Sequence, residues 1–219
     1  MKAFFSRLIN PLVWRVPGHP ARVLFGFSLA EHGSMLDLSA ATRLTSSPQR
    51  AAAYMRHMLD EARHARMFAA RSAELRLQEG QPSLGYPVAD TENLFQTLGE
   101  LRFLAFVHVG EKRGRAQFET YRDWFEKQGD HKSGAMFAAI VRDELRHEQY
   151  TYDLLLELAG SEAQANKELR AVVLWETWRK WRRMGRFLAE KLYFAVMTFI
   201  YILWGPVMYL AGILNKGKP

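Results

Sequence analysis

The chain has 219 residues, no cysteine and a formal net charge of +7. Without cysteine there is no disulfide, thiolate zinc site, cysteine nucleophile or iron–sulfur cluster held by the chain itself, so any metal must be bound by nitrogen and oxygen. The charge does not mark a nucleic-acid binder: six bases against one acid between Arg179 and Lys191, with Lys216 and Lys218, make up the excess, and the other residues balance at 22 bases to 22 acids.

Residues 1–19 read as an amphipathic N-terminal segment, in which apolar residues such as Phe4, Phe5, Leu8 and Trp14 mix with Lys2, Arg7 and Arg15, and Pro11 and Pro17 break any helix. It lacks the uninterrupted apolar run and small-residue cleavage site of a signal peptide, and is expected to stay in the mature chain. A membrane-surface element and a terminal helix packed on the body are both open.

Pro20 stands at a first helical position, and residues 21–44 read as a helix whose stripe is Leu24, Phe27, Glu31, Met35 and Leu38. Glu31 is out of place there, because an acid on an apolar face is costly to bury unless a charged partner or a metal satisfies it. Ser47 followed by Pro48 signals the start of a second helix, 48–78, which the short link makes an antiparallel neighbour of the first. Gly80, Pro82, Gly85 and Pro87 mark 79–91 as an extended crossover, able to cover about 40 Å at roughly 3.3 Å per residue. A third helix is expected over 92–128, with Glu100 and Glu111 on one side, and a fourth over 132–159 after the tight turn Gly129-Asp130.

Ser161-Glu162-Ala163-Gln164 fits a capping box and opens a fifth helix. It passes through Trp175, Trp178 and Trp181, interleaved with bases, into residues 192–214, which are 23 residues without a charge. As a helix that run would be about 35 Å long, enough for a bilayer core of roughly 30 Å, and the tryptophans and bases before it form an interfacial belt. Gly205-Pro206 leaves a kinked single span, a re-entrant hairpin and a surface-lying segment in play, with a soluble subunit interface as the remaining reading. The larger basic excess precedes the run, which places the preceding domain on the cytoplasmic side, against the weaker opposition of Lys216 and Lys218.

The chemistry lies in a pentad that occurs twice: Asp60-Glu61-Ala62-Arg63-His64 and Asp143-Glu144-Leu145-Arg146-His147. On a helix, Glu and His three residues apart share a face and can grip one ion together, so two copies imply two metals. Each pentad follows a helix bearing a lone acid. Glu31 lies 30 residues before Glu61 and Glu111 lies 33 before Glu144, so each folds back beside its own pentad at similar depth. Glu100 would sit roughly 16 Å further along the axis. Spacing therefore selects Glu31, Glu61, His64, Glu111, Glu144 and His147. His57 and His108, each one turn from a selected residue, are expected as core histidines, and Tyr54 and Tyr150 as packed tyrosines.

Four carboxylates and two imidazoles so arranged resemble the ferritin-like di-iron carboxylate superfamily over roughly residues 20–159. The Asp-Glu-x-Arg-His form is similar to bacterial multicomponent monooxygenases and acyl-carrier-protein desaturases, although this chain is much shorter than either. The resemblance implies an all-α, ferritin-like four-helix bundle over 20–160, with 161–219 as a basic, aromatic helix leading into the membrane segment. It implies two iron ions, with manganese as the alternative, and O2 as co-substrate. On the family pattern Glu61 and Glu144 bridge, Glu31 and Glu111 are terminal, and His64 and His147 bind one metal each. Asp60 and Asp143 then accept the second imidazole N–H, steadied by Arg63 and Arg146. Two divalent ions balance four glutamates, so such a site tolerates burial.

The expected function is a membrane-bound di-iron oxidoreductase that uses O2 to hydroxylate, desaturate or otherwise oxidise a lipid-like or isoprenoid substrate. The alternative is iron or peroxide handling of the rubrerythrin or ferritin kind, and the third is a structural subunit of a membrane complex. No flavin or nicotinamide fingerprint is present, so the expected partners are a lipid bilayer, a hydrophobic small molecule and an external electron donor, either a reductase or a quinol. Nucleic acid is not expected, and self-association or membership of a membrane complex is open.

Overall fold

The computed structural model describes residues 14–89 and 93–215, with side chains as far as 206, and every regular element among them is a helix. These are α1 (His19–Leu44), α2 (Pro48–Gln78), α3 (Leu94–Leu98), α4 (Glu100–Lys127), α5 (His131–Ala159) and α6 (Glu162–Asn215). Of the expected N-terminal segment, residues 1–13 lie outside the described residues. Trp14, by contrast, is core, its ring 4.3 Å from that of Tyr121 and 4.6 Å from that of Trp124.

Helices α1 and α2 form one antiparallel hairpin and α4 and α5 a second. Ser47 caps α2 by accepting the Arg50 amide at 3.3 Å. Asp130 caps α5 by accepting the Ser133 amide at 3.0 Å, after Gly129 turns the chain at φ 76°. The two hairpins are stapled here by Arg71 of α2, a buried guanidinium bonded to both Asp130 oxygens at 2.7 and 2.8 Å and to Ser133 Oγ at 2.8 Å. A buried charge is tolerable when its donors are occupied, and these acceptors, with Glu74 on Nη1 at 2.7 Å, take one or more bonds from each of the three nitrogens.

The crossover between the hairpins runs along α1. At its start Gly18 N donates to Glu79 Oε1 at 3.2 Å, and near its end Ala89 N donates to His32 Nδ1 at 3.0 Å. That stretch of α1 is about 21 Å long at 1.5 Å per residue.

The single helix expected over 92–128 is two helices among its described residues. Gly99 takes φ 73° and ψ 159°, a conformation closed to residues with a Cβ, and it both ends α3 and caps α4. The bend lets α3 bury Leu94 and Phe95, the latter ring 5.3 Å from Phe103 and 6.4 Å from Tyr54.

Apolar layers close both ends of the bundle. At one, Phe27, Phe68, Phe118, Tyr121, Phe125 and Phe137 interlock with ring centroids mostly 5 to 6 Å apart. At the other lie Tyr54, Phe95, Phe103, Leu104 and Leu155. Phe68 stands one turn beyond His64 and Tyr54 two turns before Glu61, so the pentads fall between the layers.

The first compact unit ends at Val172, beyond the expected boundary at 160, because the opening turns of α6 bury Ala165, Glu168 and Val172. Half of the expected capping box is made: Gln164 N donates to Ser161 Oγ at 3.3 Å, but the Gln164 side chain turns to Glu168 Oε1 at 3.0 Å.

Val173–Pro219 make up the second unit. Its helix runs through Pro206 without reversing, so the chain does not form the re-entrant hairpin held open on sequence. It is long and apolar enough to cross a membrane, and Leu192, Phe194, Phe199, Ile202 and Trp204 are exposed rather than packed. Arg179 lies over the ring of Trp175 at 4.4 Å and Arg182 over Trp178 at 4.6 Å, so each base covers the aromatic one turn earlier.

Gly99→Ala is expected to lower stability by about 1–3 kcal/mol, the cost of a side-chain-bearing residue in that backbone region. A methyl there meets no atom within 4 Å, so the loss would be backbone strain alone. Gly26→Ala, inside α1 and equally uncrowded, should instead stabilise by about 0.5–1 kcal/mol. Urea unfolding of the two variants checks the opposite signs.

Candidate metal centre

Helices α1, α2, α4 and α5 each send charged or imidazole side chains into the layer between the aromatic ends. Two buried groups result, each with its donor atoms within 4.8 Å of one another: Glu31, Glu61, His64 and Glu144, and His57, Glu61, Glu111 and His147. Either could hold a metal ion, and Glu61 belongs to both. All six residues selected by spacing are among these, and His57 joins them.

The histidines are fixed from outside by crossed bonds. His64 of the first pentad faces Asp143 of the second, Nε2 to Oδ2 at 3.2 Å, and His147 of the second faces Asp60 of the first at the same distance. Arg63 bridges Asp60 at 2.8 Å and Asp143 at 2.6 Å, while Arg146 pairs with Asp143 and reaches Asp60 at 3.6 Å. The arginine side chains are 47 and 64% exposed, so these pairs add little to stability. Their effect is to hold the aspartates where an imidazole N–H can find them.

With each Nε2 donating to an aspartate, each Nδ1 presents a lone pair to the interior. There it meets oxygens: His64 Nδ1 lies 3.4 Å from Glu144 Oε1, and His147 Nδ1 lies 3.5 Å from Glu61 Oε1 and 3.7 Å from Glu111 Oε2. His64 Nδ1, His147 Nδ1 and Glu144 Oε1 are buried without any hydrogen-bond partner. Acceptors turned on acceptors are costly, about 1–3 kcal/mol for each unsatisfied atom, unless a proton or a cation sits between them. The donor set therefore fits a divalent ion bound by oxygen and imidazole, such as iron or manganese.

Protonation in the metal-free chain shows the same demand. Burial first, and then the neighbouring carboxylates, push Glu31 and Glu144 well above the ordinary carboxylate range, and burial raises Glu61 to about 8. Burial opposes the charge of Glu111 as well, but the neighbouring His57 imidazole draws that carboxyl well below its usual value. Burial lowers His64 to about 4, which keeps its ring neutral with a free lone pair.

His57 was expected as an ordinary core histidine, yet its Nε2 lies 3.1 Å from Glu61 Oε1 and 3.4 Å from Glu111 Oε1. The signal was its place four residues before Glu61 and seven before His64, on the same helical face. His108 does sit as a core histidine, Nδ1 3.1 Å from the Glu148 carbonyl. Glu100 lies outside both groups, where it accepts from Arg50 at 2.8 Å, Thr45 at 2.6 Å and Tyr54 at 3.0 Å. Tyr54 is thereby occupied at the end layer, while the Tyr150 hydroxyl reaches His57 Nδ1 at 2.6 Å.

No family model matches this chain, and no curated protein or solved structure does so either.

The metal-free chain should lose stability between pH 6.5 and 8. Glu61 holds its proton in the fold to about pH 8 but releases it on unfolding near its ordinary 4.5, so raising the pH favours the unfolded state. His64 acts in the opposite direction, but only between about 4 and its ordinary 6.5, below this window. Calorimetry under argon should show a falling midpoint across the window, and saturating Fe2+ or Mn2+ should remove the fall. A midpoint that is flat or rises without metal would contradict the assignment.

Proposed function

We propose that this chain is a membrane-bound di-iron oxidoreductase, built on a ferritin-like four-helix bundle, that uses O2 to hydroxylate, desaturate or otherwise oxidise a lipid-like or isoprenoid substrate. The observation that carries the reading is the pair of buried groups sharing Glu61, in which His64 Nδ1, His147 Nδ1 and Glu144 Oε1 face inward without a hydrogen-bond partner. Two divalent ions would neutralise the four glutamates. The apolar helix beyond Val173 supports a membrane setting, and the bases before its uncharged stretch favour a cytoplasmic bundle.

Bound between the pentads, two iron ions would supply the electrons that activate O2 for attack on a C–H bond. The residues of the chain hold and shield that centre. Asp60 and Asp143 orient the imidazoles, and the aromatic layers keep water from the carboxylates. Glu31 and Glu111 are 8 and 7% exposed, more open than the pentad glutamates and histidines, so small molecules approach most directly past α1 and α4. On that side a methyl at Gly114 would come 3.7 Å from Phe118 and 4.0 Å from Glu144 Oε2, ordinary van der Waals contact.

Purified protein should bind two irons per chain. Glu111→Ala should lose most of one, and Glu100→Ala should lose neither, by elemental analysis. Equal iron in wild type and Glu111→Ala would remove the assignment.

Lipid extracts from cells with and without the protein should differ by species that gain one oxygen or lack two hydrogens in mass spectrometry. Unchanged lipids, with rapid consumption of peroxide or Fe2+ by the purified protein, would favour iron or peroxide handling instead. Turnover should also require an added reductase or quinol; sustained turnover on NADH and O2 alone would contradict this.

A further inference from the structure

We propose that His57 is a seventh metal ligand, held in place by Tyr150, and that the two metal positions are therefore unequal: one bound by two imidazoles, the other by a single imidazole among carboxylates. The inference rests on the di-iron reading above and deepens it.

Two donors on one ion at about 2.1 Å lie ~3.0 Å apart at a right angle and ~3.4 Å apart at the tetrahedral angle. His57 Nε2 is 3.1 Å from Glu61 Oε1 and 3.4 Å from Glu111 Oε1. His147 Nδ1 faces the same two carboxylates at 3.5 and 3.7 Å. The rings of His57 and His147 are stacked, centroids 3.7 Å apart and planes 33° from parallel, and His57 Nε2 and His147 Nδ1 both lie against the same oxygen, Glu61 Oε1. The ring of His57 is also anchored like the other two. His64 and His147 each have one nitrogen tied to an aspartate, and His57 has Nδ1 at 2.6 Å from the Tyr150 hydroxyl. With that hydroxyl accepting from Nδ1–H, the Nε2 lone pair is free for a metal.

The other half of the bundle has no such pair. When the pentads are superposed in sequence, 60–64 on 143–147, His57 corresponds to Ile140 and Tyr150 to Met67. Ile140 is fully buried in the aromatic core and Met67 packs against it. One position thus carries an imidazole and its phenol where the other carries two apolar side chains. The nitrogen-richer position is the better site for iron over manganese, since imidazole favours the later metal and carboxylate the earlier.

The test uses the full chain loaded anaerobically with enriched Fe2+. Mössbauer spectra of wild type should show two ferrous doublets of equal area and distinct splitting. His57→Gln should lose or shift one doublet and leave the other. Tyr150→Phe, which keeps the imidazole but removes its anchor, should weaken one iron by about tenfold or more. Should His57→Gln fail to fold, pulsed hyperfine spectroscopy of the wild-type mixed-valent form decides: three directly bound imidazole nitrogens are expected. Two nitrogens, or a folded His57→Gln with both doublets unmoved, would reduce His57 to a hydrogen-bond donor and overturn this inference alone. Wild type that takes up no iron would overturn it together with the proposed function.

Discussion

Four glutamates enclosed between aromatic layers are the constraint on which the rest of the molecule depends. In water each carboxylate would be charged at little cost; in this interior each charge opposes the others and is poorly solvated. The chain without metal meets the cost by keeping protons on Glu31, Glu61 and Glu144. Two divalent ions would meet it without protons. The apolar layers that make the site expensive also make any ion there strongly held, since low local dielectric strengthens attraction as it strengthens repulsion.

That demand explains the arrangement outside the site. An imidazole that must offer a lone pair inward needs an acceptor outward, and Asp60 and Asp143 supply it across the bundle rather than within their own helices. Arg63 and Arg146 then keep two aspartates close together without excess charge. Arg71 repeats the principle at the turn before α5, where a buried cation is surrounded by Asp130, Glu74 and Ser133, and Lys132 on Glu74 balances the second acid. The polar interior is thus a series of small neutral assemblies, each completed by residues from both hairpins.

The parts of this structure written in local pattern were legible in the sequence. Pro48 after Ser47, the Gly129-Asp130 turn and the doubled pentad are short signals with one physical meaning each. The bend at Gly99 was not, because a single glycine in an apolar-periodic stretch is usually tolerated by a helix, and only the backbone angles show that this one ends it. His57 was not legible for a related reason: its counterpart is Ile140, so repetition, the signal that exposed the pentads, was missing. The crossing of the Asp–His bonds is a tertiary fact, and nothing in either pentad says which helix its aspartate will serve.

That crossing has a further meaning. When residue i of one unit contacts j of another while j of the first contacts i of the second, the two units are related as the halves of an isologous dimer. Asp60 with His147 and Asp143 with His64 satisfy this relation, so each hairpin behaves as a subunit and the chain as a dimer joined end to end by the crossover along α1. A true dimer of identical hairpins would be compelled to place the same residues at both positions. Joining the halves in one chain lifts that compulsion, and the contrast of His57 and Tyr150 with Ile140 and Met67 is a difference that a pair of identical hairpins could not hold.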